Sequence, residues 1–139
     1  IPRLIDLAQE ELLHFGQVYE VMSRRGLALV RDERDPYVNR LLALQRHGRD
    51  ERFMDRLLLS SLIECRGAER FGIIAVALQD PDLKDFYESL YKAETKHGHV
   101  FVELALKYFE PDTVYSRLHE LAAGEAEIVA SLQWRPSLH

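Results

Sequence analysis

Two segments of the chain, Glu11-Leu-Leu-His14 and Glu94-Thr-Lys-His97, set a carboxylate and an imidazole in consecutive positions of an otherwise apolar helical stripe. The first stripe reads Leu4, Leu7, Glu11, His14, Val18, Val21, and the second Leu83, Tyr87, Leu90, Glu94, His97, Phe101, Leu104, Tyr108. Steps of three and four residues keep such positions on one helix face. A Glu and a His one turn apart on that face can reach the same metal ion. Burying several carboxylates in a helical core costs several kcal/mol each unless a cation compensates, on the order of the whole stability of a domain. Two divalent metals would compensate, and carboxylates with imidazoles suit iron or manganese.

A third carboxylate, Glu64, interrupts the stripe Leu57, Ser61, Glu64, Ala68, Phe71, Ala75, Leu78. It lies 16 residues before Asp80 and Glu94 lies 14 after it. In a hairpin turning at Asp80-Pro81 the two stand roughly 24 and 21 Å from the bend, at one level, where Glu64 can bridge ions held by the two Glu-x-x-His pairs. Other residues fit less directly. Glu10 falls off its stripe, and His99 lies about 200° round the helix from His97, which predicts a surface position. Glu69 either backs the site or pairs with a nearby Arg. A symmetric site also wants a fourth carboxylate, from a helix upstream of Ile1 or from Glu125, although Ala122, Ala123 and Gly124 beside Glu125 equally suit close packing.

The periodicity elsewhere is helical too, and the class is all-α. Helices are predicted at about 3–25, 51–79, 82–109 and 111–134, the last with the stripe Val114, Leu118, Leu121, Glu125, Ile128, Leu132. A connection of about 25 residues follows the first, with turn signals at Asp35-Pro36 and His47-Gly48 and a short amphipathic helix between them. A helix of 25 residues is roughly 37 Å long, which that connection spans, so one long crossover between helix pairs is expected: the ferritin-like arrangement, here with an extra C-terminal helix. The 139 residues, 47% hydrophobic, suffice for one domain over 1–139. The chain opens "IPRLIDLAQEELLHF" with no Met and with Pro2 placed like a first helical residue, so an upstream helix is expected to be missing.

Net charge is −5, yet residues 24–56 hold nine Arg against six Asp/Glu, a basic segment on an acidic body. The longest apolar run, "FGIIAVAL" at 71–78, is too short to cross a bilayer and no leader precedes the first helix, so a soluble protein is expected. The lone Cys65 fits a reducing cytoplasm and reads as a small buried hydrophobe.

The strings "EELLHFGQV", "SSLIECRGAERFG" and "YKAETKHGHVF" resemble the family of tRNA 2-methylthio-N6-isopentenyladenosine hydroxylases, MiaE, over nearly the whole chain. That resemblance implies a ferritin-like bundle with a non-haem di-iron centre. Such a centre uses O₂ and electrons from an external donor, a redox partner protein, to hydroxylate the isopentenyl group on the adenosine beside the tRNA anticodon. It carries the ligand roles onto Glu11, His14, Glu64, Glu94 and His97, and implies that the missing first helix supplies the remaining Glu. Phe71, Phe101 and Leu104 then line either a prenyl pocket or an ordinary core. Arg24, Arg25, Arg31, Arg34, Arg40, Arg46, Arg49 and Arg52 form either an anticodon stem-loop surface or a solvated connection. Two other readings compete: a ferritin-like iron oxidase or storage protein, and a metal-free helical adaptor whose Glu and His residues form a buried polar network.

Overall fold

Proline starts four of the helices. Pro2, Pro36, Pro81 and Pro111 each occupy the first turn, where a missing N–H costs nothing and a fixed φ already suits the helix. Asp35 and Asp80 cap two of those starts, accepting hydrogen bonds from Tyr37 N (2.8 Å) and from Asp82 N and Leu83 N (3.1 and 3.2 Å). The computed structural model describes residues 1–31 and 33–133. Among these are five helices and no strand: α1 (Pro2–Arg24), α2 (Pro36–Leu42), α3 (Arg49–Ala77), α4 (Pro81–Ala105) and α5 (Pro111–Ser131). The all-α class and the short helix inside a long connection are as the sequence predicts. No helix among the described residues is long and apolar enough to cross a membrane.

The boundaries differ at a few ends. α4 stops at Ala105 rather than 109, because its last turn tightens through Lys107 N–H to Leu104 O and Tyr108 N–H to Ala105 O. Tyr108 therefore leaves the stripe and lies exposed, edge-on to Phe53 at 5.2 Å. α5 ends at Ser131, and residue 134, where the pattern places its end, lies outside the described residues.

The chain divides into two compact units, Ile1–Arg34 and a second that begins at Asp35. In the first, α1 ends in a Schellman motif: Leu27 N–H reaches Met22 O, Gly26 N–H reaches Ser23 O, and Gly26 takes φ +68°, which glycine adopts without strain. In the second unit α3 is the hub. It packs along α4 as an antiparallel hairpin and also meets α2 and α5. Leu58, Leu59, Leu90, Val114, Leu121 and the α2 residues Tyr37 and Leu41 form the buried core. Each fully buried leucine stabilises the unit by about 1.5–3 kcal/mol relative to an exposed one.

Because α3 touches three helices, more than one stripe of it is covered, and an acid is covered with it. Asp55 is fully buried between two guanidiniums. Arg46 donates to it from Nε and Nη2 and also from its backbone N–H, and Arg117 donates from Nε and Nη2, all at 2.8–3.1 Å. Arg117 also binds Leu44 O, so the cluster ties α3, α5 and the end of the α2 segment together. Burial pushes the Asp55 carboxyl up, but hydrogen bonds from Arg117 and Arg46 outweigh it and hold the group at about 2.

A carboxyl whose folded pKa lies below its unfolded value stabilises the fold above the unfolded pKa and loses that contribution as pH falls through the folded one. Urea unfolding of the wild type should therefore weaken between about pH 4 and pH 2, and Asp55→Asn should remove part of that slope while lowering stability at neutral pH by roughly 3 kcal/mol or more. Equal acid slopes in the two proteins would contradict the assignment.

Candidate metal centre

Each Glu-x-x-His segment forms the local geometry expected of it. On α4, Glu94 and His97 are both buried, 7% and 1% exposed, and Glu94 Oε2 stands 3.4 Å from His97 Nδ1. On α1, Glu11 Oε1 stands 3.6 Å from His14 Nδ1. In both pairs the same ring nitrogen turns toward the carboxylate of the preceding turn. Two donor atoms on one ion, with bonds of about 2.1 Å, stand roughly 3.0–3.4 Å apart, so either pair fits a shared metal after small adjustments. The donor set, oxygen and imidazole nitrogen, suits iron or manganese.

Glu64 sits half-buried on α3. The α3–α4 register is fixed nearby, where Ser61 Oγ donates to Gly98 O at 2.8 Å. Ser61 lies three residues before Glu64 and Gly98 four after Glu94, so the antiparallel register brings Glu64 and Glu94 to one level along the hairpin. On α4, the stripe neighbours Leu90, Phe101 and Leu104 are buried around Glu94 and His97. Phe101 and Leu104 thus belong to the core, while Phe71 is half-buried against Tyr87, with ring centroids 5.7 Å apart.

The remaining candidates separate clearly. His99 is exposed, its Nδ1 2.7 Å from Thr95 O, as a surface residue should be. Glu69 is exposed and pairs with Arg66. Glu125 is buried, but both its oxygens are engaged: Arg66 Nε and Nη2 each donate at 2.7 Å, and Tyr37 Oη adds a third bond at 3.1 Å. A guanidinium fork therefore neutralises Glu125 in place of a metal. Burial first, then the charge of Glu125, raises the Tyr37 phenol, and Glu125 raises the Arg66 guanidinium further. Cys65 departs from expectation. It is exposed, because it stands one residue off the covered stripe, in an open groove of about 880 Å³ between α3 and α4 with Gly72, Ile73, Val76 and Tyr91.

Sequence reasoning missed the Arg66–Glu125–Tyr37 and Asp55–Arg46–Arg117 networks. A signal existed for the second: the nearly unbroken apolar run Leu57-Leu-Leu59 beside Asp55 marks a helix covered on several sides. Arg46, grouped by sequence with the basic connection, is committed instead to Asp55.

The all-helical fold, with Glu-x-x-His segments on α1 and α4, places the chain in the ferritin-like class. The solved structure of a Synechococcus protein titled "Protein 43 with aldehyde deformylating oxygenase activity" matches it with a TM-score of 0.90 and 32% identity, over 96% of this chain and 66% of that one. The family model described as tRNA-(MS[2]IO[6]A)-hydroxylase (MiaE) matches residues 1–139, and the chain belongs to that family. Two curated relatives are both named tRNA 2-(methylsulfanyl)-N(6)-isopentenyladenosine(37) hydroxylase. One, from Salmonella typhimurium, is 34% identical over 94% of this chain, and the other, from Pseudomonas putida, is 33% identical over 90%. The chain spans 48% and 60% of their respective lengths.

Arg66→Ala strands the Glu125 carboxylate in the core and should destabilise the protein by roughly 3–5 kcal/mol in urea titrations. Arg66→Lys should recover only part, since an ammonium cannot make two parallel bonds. A loss below about 1 kcal/mol for the alanine variant would show that the pair is replaceable.

Proposed function

We propose that this chain carries the metal-binding helices of an O₂-dependent non-haem di-iron monooxygenase. In this reading it hydroxylates the isopentenyl group of 2-methylthio-N6-isopentenyladenosine beside the anticodon of tRNA. The observation that carries the reading is the buried Glu94–His97 pair on the α4 core stripe, repeated in kind by Glu11–His14 on α1. Family membership and the names of both curated relatives support the reaction and the substrate.

In this reading Glu11 and His14 would hold one iron and Glu94 and His97 another, with Glu64 as a further carboxylate ligand; each residue of the two pairs offers one ligand atom. A bound di-iron centre supplies the O₂ and electron chemistry that an unactivated C–H bond requires. The protein's own share is positional. Helix geometry holds each carboxylate a turn from its imidazole, and Leu90, Phe101 and Leu104 exclude bulk water on the α4 side. Arg24, Arg25, Arg31 and Arg34 in the first unit, and Arg40, Arg49 and Arg52 in the second, are exposed and suit phosphate contacts to the stem-loop. A redox partner delivers the electrons.

The test incubates iron-loaded full-length protein with prenylated tRNA, O₂ and a reductant, followed by digestion to nucleosides and mass spectrometry. The modified adenosine should gain one oxygen. Glu94→Gln and His97→Ala should each lower that gain at least about 100-fold, since loss of even an outer partner of a metal ligand costs 10–100-fold. Iron-loaded wild type that adds no oxygen would reject the hydroxylase reading. Full activity in both variants would reject the ligand assignment.

A further inference from the structure

Beside His97 the two helices of the hairpin meet at a glycine. Gly98 is buried on α4, and its carbonyl accepts the Ser61 hydroxyl of α3, itself 3% exposed. A Cβ built on residue 98 would stand 2.6 Å from Cys65 Sγ, 3.4 Å from Ser61 O and 3.7 Å from Cys65 N. The first distance is an overlap with the end of the Cys65 side chain, and the other two are ordinary contacts with α3 backbone atoms. The other glycines of α3 behave differently. A Cβ at Gly72 meets only Tyr91 at 3.4 Å or beyond, and one at Gly67 meets nothing within 4 Å. Of these three glycines, only Gly98 stands where an added Cβ would overlap the facing helix, and it lies at the level of Glu64, Glu94 and His97.

We propose that Gly98, together with Ser61 and Cys65, is the positioning element that sets the separation of α3 from α4 at the metal centre. The inference rests on reading Glu64, Glu94 and His97 as ligands. Glu64 adjoins Cys65 and His97 adjoins Gly98, so any added volume between Cys65 and Gly98 moves the α3 carboxylate away from the α4 pair. Metal constellations tolerate displacements of about 0.5 Å, and a methyl group forced into this contact exceeds that. The Cys65 thiol turns about a single torsion, and one of its three staggered positions is closed by the preceding helical turn, so relief of the overlap is shared between that torsion and the helix separation. The Ser61–Gly98 bond fixes the same contact along the helix axes, which keeps Glu64 and Glu94 level.

The experiment titrates full-length apoprotein with ferrous ion under argon, with circular dichroism on each variant to report folding. Gly98→Ala should weaken metal binding about tenfold, the range seen when groups that orient metal ligands are disturbed. Cys65→Ala combined with Gly98→Ala removes the overlapping sulfur and should restore binding to within about threefold of wild type. Gly72→Ala, a methyl added to the same interface in ordinary contact, should bind as wild type does. Ser61→Ala adds no atom, so it keeps the test valid should Gly98→Ala fail to fold, and it should weaken binding about threefold. Wild-type affinity in Gly98→Ala or in Ser61→Ala overturns the proposal, as does a folded double variant that binds no better than Gly98→Ala. Wild type that binds no iron overturns the ligand reading itself, an outcome distinct from normal binding by wild type and variants alike.

Discussion

A carboxylate inside a helical core must meet a positive partner, and the second unit of this protein is organised around three such groups: Asp55, Glu94 and Glu125. Two are answered by arginine. Asp55 lies between Arg46 and Arg117, and Glu125 takes the fork of Arg66 with a phenol bond from Tyr37. Both arrangements cross-link helices that share little other contact, α2 and α5 with α3. Glu94 is of a different kind, since its neighbour at 3.4 Å is an imidazole on its own helix. In the reading proposed above, that Glu-x-x-His pair would share a metal ion.

This division connects the fold to the chemistry proposed for it. The arginine-bound acids sit toward the α2 and α5 side of α3, where they lock the hub helix in place. The α4 side carries the Glu94–His97 pair, and Ser61 and Gly98 hold the hairpin in register there. Support on one face of α3 and the Ser61–Gly98 contact on the other fix the backbone that carries Glu64. Pre-organisation of this sort is what lets a protein impose geometry on a reactive centre rather than adapt to it.

Much of this was legible in the sequence because helical periodicity and proline punctuation act locally. Pro36, Pro81 and Pro111 begin helices where they stand, and the Glu-x-x-His spacing needs only one helical turn to bring its atoms together. What escaped was what depends on tertiary neighbours. Glu125 reads as a fourth carboxylate on a stripe until Arg66, 59 residues earlier, is seen to reach it. Arg46 reads as a member of a basic connection or RNA surface, although it is the partner of the fully buried Asp55 on α3. Cys65 reads as core, but its position one step off the stripe turns it to an open groove. Charge partners from distant elements and the exact edge of a covered face are properties of packing, which periodicity alone does not encode.

The central claim, proposed above, is that the Glu-x-x-His pairs are metal ligands. Anomalous diffraction at the iron edge from crystals of the iron-loaded full-length protein tests it directly. The account predicts iron ligated by Glu94 and His97 and iron ligated by Glu11 and His14. Iron bound elsewhere, with these side chains turned away from it, would contradict it.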